Sequence, residues 1–365
     1  MASAALQRLL TLSLLSCVST GCDRTPEPAR EAASVSTPPA PPAAKPRAEV
    51  AAAPSSSAEP VATSYRLPAS PRVVAIGDVH GDLRALRATL RLAGAIDADD
   101  RWIGKDLTVV QTGDQVDRGD QDREVLDVIE KLEGEAKAAG GALHVLNGNH
   151  ELMQASFDFR YVSEASFKSF ADFASRAPSA DARRPTSERE RGRAAAFAPG
   201  APYAAKLARH LTVAIVGDSL FAHAGVLPAH VDYGLSRIND DASAFLSGRR
   251  ELSRVLASED SPVWTRAYGA PEVSEEACGA LGRVLGELGV KRLVVGHTVQ
   301  KDGISSACGE RVYRIDVGLS AYYGSHPAQA LEITAKGARV LTAGAESGKA
   351  AAPSKRPGSA VHSAP

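Results

Sequence analysis

Five short stretches carry the side chains that could do chemistry. They are Gly77-Asp78-Val79-His80-Gly81-Asp82, Gly113-Asp114-Gln115-Val116-Asp117-Arg118-Gly119, Gly148-Asn149-His150-Glu151, Ala222-His223-Ala224-Gly225 and Gly296-His297-Thr298. Their spacing is irregular, so they are not repeats. Each follows a short β-like apolar run, where a buried strand emerges into a loop, and in an open α/β sheet that edge is where sites are built. The donors are carboxylates, an amide oxygen and imidazoles, with no thiolate. Such a set suits hard or borderline divalent metals. Two of these ions side by side can clamp a phosphoryl group and activate a water.

The individual residues fit that chemistry. Asp78 and His80 alternate along one extended segment and can point to the same side. Asp114 follows the neighbouring strand. Asn149 offers a neutral carbonyl oxygen, which limits the negative charge of the site, and His223 and His297 complete a nitrogen and oxygen set. A lone histidine is more often packed or on the surface, and His144, His210, His230, His326 and His362 read that way. For the motif histidines the weighing reverses, because the clusters share one strand-end location.

Stepping along the chain, strands and helices alternate. An apolar run at 72–76 stops at Gly77. Leu83, Leu86, Leu90 and Ala93 recur at helical spacing until Gly94. A strand at 107–110, a helix through Val125, Val128, Ile129 and Leu132, and a strand at 142–146 follow. This βαβαβ order predicts a mostly parallel sheet with helices on its faces. Residues 152–210 break the rhythm as an insertion covering part of the site. Phe157, Phe159, Tyr161, Phe167, Phe170 and Phe173 read as one or two helices whose aromatics pack onto the core, and 176–193 reads as a charged loop. Beyond it, 213–216 and 220–222 predict a hairpin around Gly217-Asp218-Ser219. A helix at 274–288 and a strand at 293–295 follow, and 312–315 and 331–333 read as closing strands of a second sheet.

The 365 residues suffice for one large domain with tails. The 42 basic and 43 acidic side chains nearly cancel, and there is neither a basic domain nor aromatic-basic interleaving, so nucleic acid is excluded as a partner. Arg8, an apolar run at 9–18 and Ser19-Thr20-Gly21 before Cys22 read as a signal peptide over 1–22. It is of the lipoprotein type, with a lipid on Cys22 making the membrane contact at the periplasmic cell envelope; plain cleavage is the alternative. Residues 23–64 read as a disordered Ala/Pro/Ser-rich tether and 346–365 as a similar tail, leaving a folded catalytic body at 65–345. Export would let cysteines oxidise, and Cys278 and Cys308 are either a disulfide or two buried thiols.

Taken in order, the five motifs resemble those of the calcineurin-like metallophosphoesterases. The Asp117-Arg118-Gly119 and Asn149-His150-Glu151 endings are similar to the phosphoprotein phosphatase (PPP) group. Pro262-Val263-Trp264-Thr265-Arg266 resembles the second arginine motif of the bacterial Shewanella-like protein phosphatases. The likeness spans 72–324; the set together is specific, whereas Gly296-His297 alone is not. It implies an α/β/β/α sandwich of two mixed sheets flanked by helices. It implies two divalent metal ions, one held by Asp78, His80 and Asp114, the other by Asp114, Asn149, His223 and His297. Mn, Fe, Zn and Co all accept such donors. Arg118 and Arg266, with Asn149, would bind phosphate, because a planar guanidinium matches its geometry. His150 would protonate the leaving group and Asp117 would orient His150. Two positions depart from relatives: Val299 stands where many family members have the last histidine of Gly-His-x-His, and Ala224 stands where eukaryotic relatives have glycine.

The implied activity is two-metal hydrolysis of phosphomonoesters, as a protein phosphatase with phosphotyrosine among its targets. The substrate would be a phosphorylated protein or a small phosphoester. One alternative is a dinucleoside-polyphosphate hydrolase, which shares the early motifs but which the second arginine motif and the insertion oppose. Another is a non-catalytic metal- or phosphate-binding lipoprotein, opposed by the presence of His150, Asp117 and every expected ligand.

Overall fold

Two sheets form the centre of the protein. The computed structural model describes residues 64–68, 70–176, 187–324 and 326–344. The signal segment with Cys22, the tether up to residue 63 and the tail lie outside the described residues. The first sheet begins with β2 (Arg72–Ile76), β3 (Thr108–Gln111) and β4 (Ala142–Val145), all parallel, following the short β1 (Arg66–Leu67) of the other sheet. Helices α1 (Leu83–Leu92) and α2 (Asp122–Ala138) connect them, as a parallel pairing requires. The second sheet takes β1, β5 (Val213–Val216), β6 (Ser219–Ala222), β7 (Arg292–Val295), β8 (Ser305–Ala307) and β9 (Val312–Arg314), in the order β1-β5-β6-β7-β9-β8. Its β5–β6 hairpin turns at Gly217, whose φ of +61° is easy only for glycine.

One strand lies elsewhere than its pattern suggested. β10 (Gln329–Thr334) was expected in the second sheet but pairs antiparallel with β2 in the first, Leu331 opposite Ala75, and carries β11 (Gly337–Thr342) on its other edge. Leu331 and Ile333 face the inter-sheet core and Ala330 faces the helices. A short strand with one apolar face, Leu331 and Ile333, fits either sheet, so local pattern cannot choose between them.

Side chains alternate across each strand and divide the core into layers. From β2, Val73 and Ala75 meet Val294, Phe221 and Ala214 of the other sheet. Val74 and Ile76 face outward onto Leu86 and Leu90 of α1 and Val125 and Ile129 of α2. On the far side, Val213, Ile215, Leu293 and Val295 pack against α8 (Leu235–Leu246) and α10 (Glu275–Leu288). Between those elements run α3 (Asn149–Ala155), α4 (Glu164–Ser169), α5 (Arg191–Phe197), α6 (Pro202–Leu207), α7 (Pro228–Tyr233) and the short α9 (Arg254–Ala257). The result is an α/β/β/α sandwich. Each fully buried aliphatic or aromatic side chain contributes roughly 1.5–3 kcal/mol, and the two sheets fix where their strand ends meet.

Two further features differ from pattern or resolve it. The end of the charged stretch, expected as loop, is the start of α5, and its Arg193 is completely buried. Cys278 of α10 and Cys308 of the β8–β9 turn form a disulfide, with their Cα atoms 5.3 Å apart.

Candidate active site

The loops after β2, β3, β4, β6 and β7 converge on Asp114, whose carboxylate is buried. Asp114 Oδ2 lies 3.3 Å from His223 Nε2 and 3.7 Å from both His80 Nε2 and His150 Nε2. Its Oδ1 accepts the His150 backbone N–H at 3.1 Å. Two groups of candidate metal donors share this one carboxylate, His80 with His150 and His223 with His297. Asp78 sits at the adjoining edge, where its carboxylate accepts the His297 backbone N–H and Oδ1 lies 4.0 Å from His223 Nδ1.

Close backbone packing explains the glycines of these motifs. A Cβ at Gly148 would collide with Asp114 Oδ1, and one at Gly296 with Asp78 Oδ1. The turns are strained as well. His80, Asp114, Asp117, Arg118 and His297 all have φ between +47° and +71°, which non-glycine residues adopt only when the surroundings impose it. Glu151 helps impose it: its two oxygens accept the backbone N–H groups of Asp114, Gln115 and Gly148 at 2.7–2.9 Å. The motif glutamate therefore ties the β3 and β4 loops together. Burial and then the Asp114 charge push its carboxyl up to about 7. Asp82, from the first motif, caps α1 through a bond from the Ala85 N–H.

The imidazoles are aimed by their other nitrogens. His223 Nδ1 lies 2.9 Å from the Thr112 carbonyl and His80 Nδ1 lies 3.1 Å from that of Val116. Each Nδ1 therefore carries the proton and each Nε2 turns a lone pair to the site. Around His223 Nε2 stand Asn149 Oδ1 at 2.9 Å, His297 Nδ1 at 3.1 Å and Asp114 Oδ2 at 3.3 Å. At most one of those three contacts can contain a proton. Burial lowers His80 well below its usual range, and burial is the largest cause that takes His297 down to about 3. Both rings are therefore neutral, the form that binds metal. Converging lone pairs on neutral nitrogen, amide oxygen and carboxylate oxygen are a donor set that a divalent cation satisfies.

Beside this cluster stands a second, buried group. His150 Nδ1 and Asp117 Oδ2 are 2.6 Å apart. Burial opposes a charge on His150, but the carboxylates of Asp114 and Asp117 outweigh it and raise its affinity for the proton. Arg118 lies at the mouth, half-buried, with Nη1 2.5 Å from His80 Nε2 and in contact with the Tyr323 hydroxyl. Its guanidinium carbon lies 5.3 Å from the Tyr161 ring, 5.9 Å from Tyr322 and 5.3 Å from Tyr323. Arg266 is exposed at the opposite rim and donates to Thr298 Oγ1 at 3.0 Å, next to His297.

The sequence profile of the calcineurin-like phosphoesterases matches residues 71–301. The Shewanella-like protein phosphatase 2 of Arabidopsis thaliana is 36% identical over 320 residues, covering 79% of this chain and 81% of its own. The chain belongs to the calcineurin-like metallophosphoesterases, in the branch of the Shewanella-like phosphatases. Shewanella-like protein phosphatase 1 of Plasmodium berghei is 28% identical, over 69% of this chain and 68% of its own. Among solved structures, a cold-active protein tyrosine phosphatase superposes with a TM-score of 0.62 at 25% identity, covering 74% of this chain and 75% of that one. A Saccharomyces cerevisiae protein serine/threonine phosphatase shares the fold, with a TM-score of 0.50 at 15% identity, over 76% of this chain and 82% of that one. This metallophosphoesterase is thus a hydrolase of a family that uses a dinuclear divalent metal centre, and its donor set fits one.

All ten residues singled out from the sequence lie at this one location, Asp114 with seven others around it and the two arginines at the rim. Others went unnoticed. Asp316, following β9, is buried; after burial itself, its charge is the largest influence pushing the Asp78 carboxyl well up. It ends an apolar strand as the other site residues do, and that shared position was the available signal. Tyr322 and Tyr323 flank Arg118 from a distant segment and carry no local signature, and Tyr161, expected to pack onto the core with the neighbouring aromatics, instead stands exposed against Arg118.

Proposed function

We propose that this phosphoesterase is a two-metal phosphomonoesterase whose substrates are phosphoproteins, with phosphotyrosine preferred, and that it works outside the cytoplasm. The observation that carries the reading is the Asp114 carboxylate shared between two donor groups, with the His150–Asp117 pair against it. Asp78, His80 and Asp114 would hold one ion, and Asp114, Asn149, His223 and His297 the other. When bound, such a pair supplies electrophilic stabilisation of the phosphoryl oxygens and an activated water. Arg118 and Arg266 grip the remaining phosphate oxygens from opposite rims, and Asn149 contributes beside them. His150 gives its Nε2 proton to the departing oxygen, while Asp117 fixes the ring through Nδ1. His150 also stands within reach of Asp114 as a candidate ligand. A protonated ring has no lone pair to offer, which favours the acid role.

The tyrosine preference rests on the mouth. Tyr161 is 40% exposed and Tyr322 is 63% exposed, and both rings flank Arg118. An aromatic leaving group entering between them meets two ring faces as its phosphate reaches the guanidinium. Export is supported by the Cys278–Cys308 disulfide, which persists in oxidising compartments. Lipid on Cys22 would then hold the enzyme at the envelope.

A substrate panel tests the reading. Peptides of one sequence bearing phosphotyrosine, phosphoserine or phosphothreonine should all release phosphate, the tyrosine form fastest, and a dinucleoside polyphosphate should be a poor substrate. Turnover of the dinucleoside polyphosphate alone would establish the rival hydrolase, and a faster phosphoserine peptide would remove the tyrosine preference.

A further inference from the structure

The insertion reaches the His150–Asp117 pair through one buried side chain. Arg193 of α5 has no exposed surface, and its guanidinium lies against the rings of both Phe170 and Phe197, 5.2 and 4.9 Å from their centroids. Its N–H groups point inward. Nε donates to Gln154 Oε1 at 2.7 Å and Nη1 to Ser166 Oγ at 2.7 Å. Nη2 donates to Asp122 Oδ2 at 2.6 Å and, more loosely, to Asp117 Oδ1 at 3.4 Å. Gln154, held by Arg193, donates its own Nε2 to both Asp117 oxygens at 2.8 and 2.9 Å. Asp122 accepts the Asp117 backbone N–H at 3.0 Å. The carboxylate that aims His150 is thus fixed by Arg193 directly and through two intermediaries.

A guanidinium keeps its proton even when desolvated, so Arg193 places a permanent cation between two fully buried carboxylates. Asp122 takes the short bond, which leaves Asp117 Oδ2 directed at His150. We propose that Arg193 is a positioning residue for the leaving-group proton transfer, through which the insertion acts on the chemical step and not only on packing. The proposal rests on the reading of His150 as the general acid.

The test is a double-mutant cycle read across aryl phosphates of graded leaving-group acidity, from p-nitrophenyl phosphate to phenyl phosphate, in the metal-loaded enzyme. His150→Asn is the reference. Arg193→Met should lower kcat on phenyl phosphate roughly 10- to 100-fold, part of a lost acid's contribution, yet lower it only a few-fold on p-nitrophenyl phosphate. Metal content should be unchanged. Combined with His150→Asn it should add no further leaving-group-dependent loss, because both changes remove one function. Arg193→Lys retains the buried cation but not the four-partner geometry. It should show the same steepened dependence more weakly, and it serves as the readout if Arg193→Met does not fold. Equal slowing of every substrate by the Arg193 variants, or additive losses in the cycle, would overturn the proposal. If His150→Asn itself slows all substrates equally, the acid assignment has failed instead, and the two failures are distinguishable.

Discussion

The two sides of Asp114 are built differently. On the metal-donor side, His80, Asn149, His223 and His297 come from strand ends of both sheets; backbone carbonyls aim His80 and His223, Asn149 sits in the first turn of α3, and the His297 backbone N–H is held by Asp78. On the other side, His150 depends on Asp117, which depends on Gln154, Asp122 and the distant Arg193. The first side gathers electron-rich atoms around the shared carboxylate, with the Arg118 guanidinium at its edge; the second is a hydrogen-bonded network with its own buried cation. A metal centre needs open valences, whereas an acid needs a fixed partner and a proton of its own.

The sharpest way to break this contrast is at the shared residue. Asp114→Asn removes the charge common to both donor groups. Turnover of any phosphomonoester should fall by more than about 10⁴-fold, beyond the range of a single lost acid, with loss of bound metal and a retained fold by circular dichroism. Substantial turnover in this variant would show that Asp114 does not join the two groups.

On the other side the loss should be smaller and selective. His150→Asn should lower kcat roughly 10²–10⁴-fold, the usual range for a lost acid, and should leave metal content unchanged. The loss should shrink for good leaving groups such as nitrophenolate, with Asp117→Asn showing the same pattern more weakly. A variant that loses metal would move His150 to the ligand side.

At the mouth, Tyr322→Ala should reduce kcat/KM for a phosphotyrosine peptide by roughly 3- to 10-fold, as expected for one aromatic contact, and leave a phosphoserine peptide little changed. Equal losses on both peptides would assign Tyr322 to holding Arg118.

The contrast also explains what could be read from the sequence. Metal-side residues occupy short motifs at strand ends, where alternation and glycine spacing are local signals. Arg193 lies 76 residues from Asp117, at the end of an arginine-rich stretch that reads as a charged loop. Its burial is a tertiary fact. The sheet that β10 joins is likewise a tertiary fact, since its pairing with β2 spans more than 250 residues. Asp316 carries a weaker local signal, because its strand end has one carboxylate and no histidine.

The smallest expected effect lies outside both sides and serves as their control. His230 is buried and its Nδ1 accepts the Leu227 N–H at 3.0 Å. Burial lowers it to about 4. A depressed histidine is neutral in the fold and protonates first in the unfolded chain, near 6.5. Stability is therefore complete above about pH 6.5 and declines as pH falls toward 4, by up to about 3 kcal/mol from this group. His230→Gln should flatten the melting temperature over that interval without changing leaving-group dependence at neutral pH. An unchanged pH profile would mean that His230 is not held neutral.

The most direct test of the two-metal site is elemental analysis of the purified protein alongside phosphate release from a phosphotyrosine peptide, before and after chelation. Two equivalents of Mn, Fe, Zn or Co per chain are expected, with activity lost on chelation and restored when metal returns. Full activity with one equivalent or none, or two bound equivalents without hydrolysis of any phosphomonoester, would contradict it.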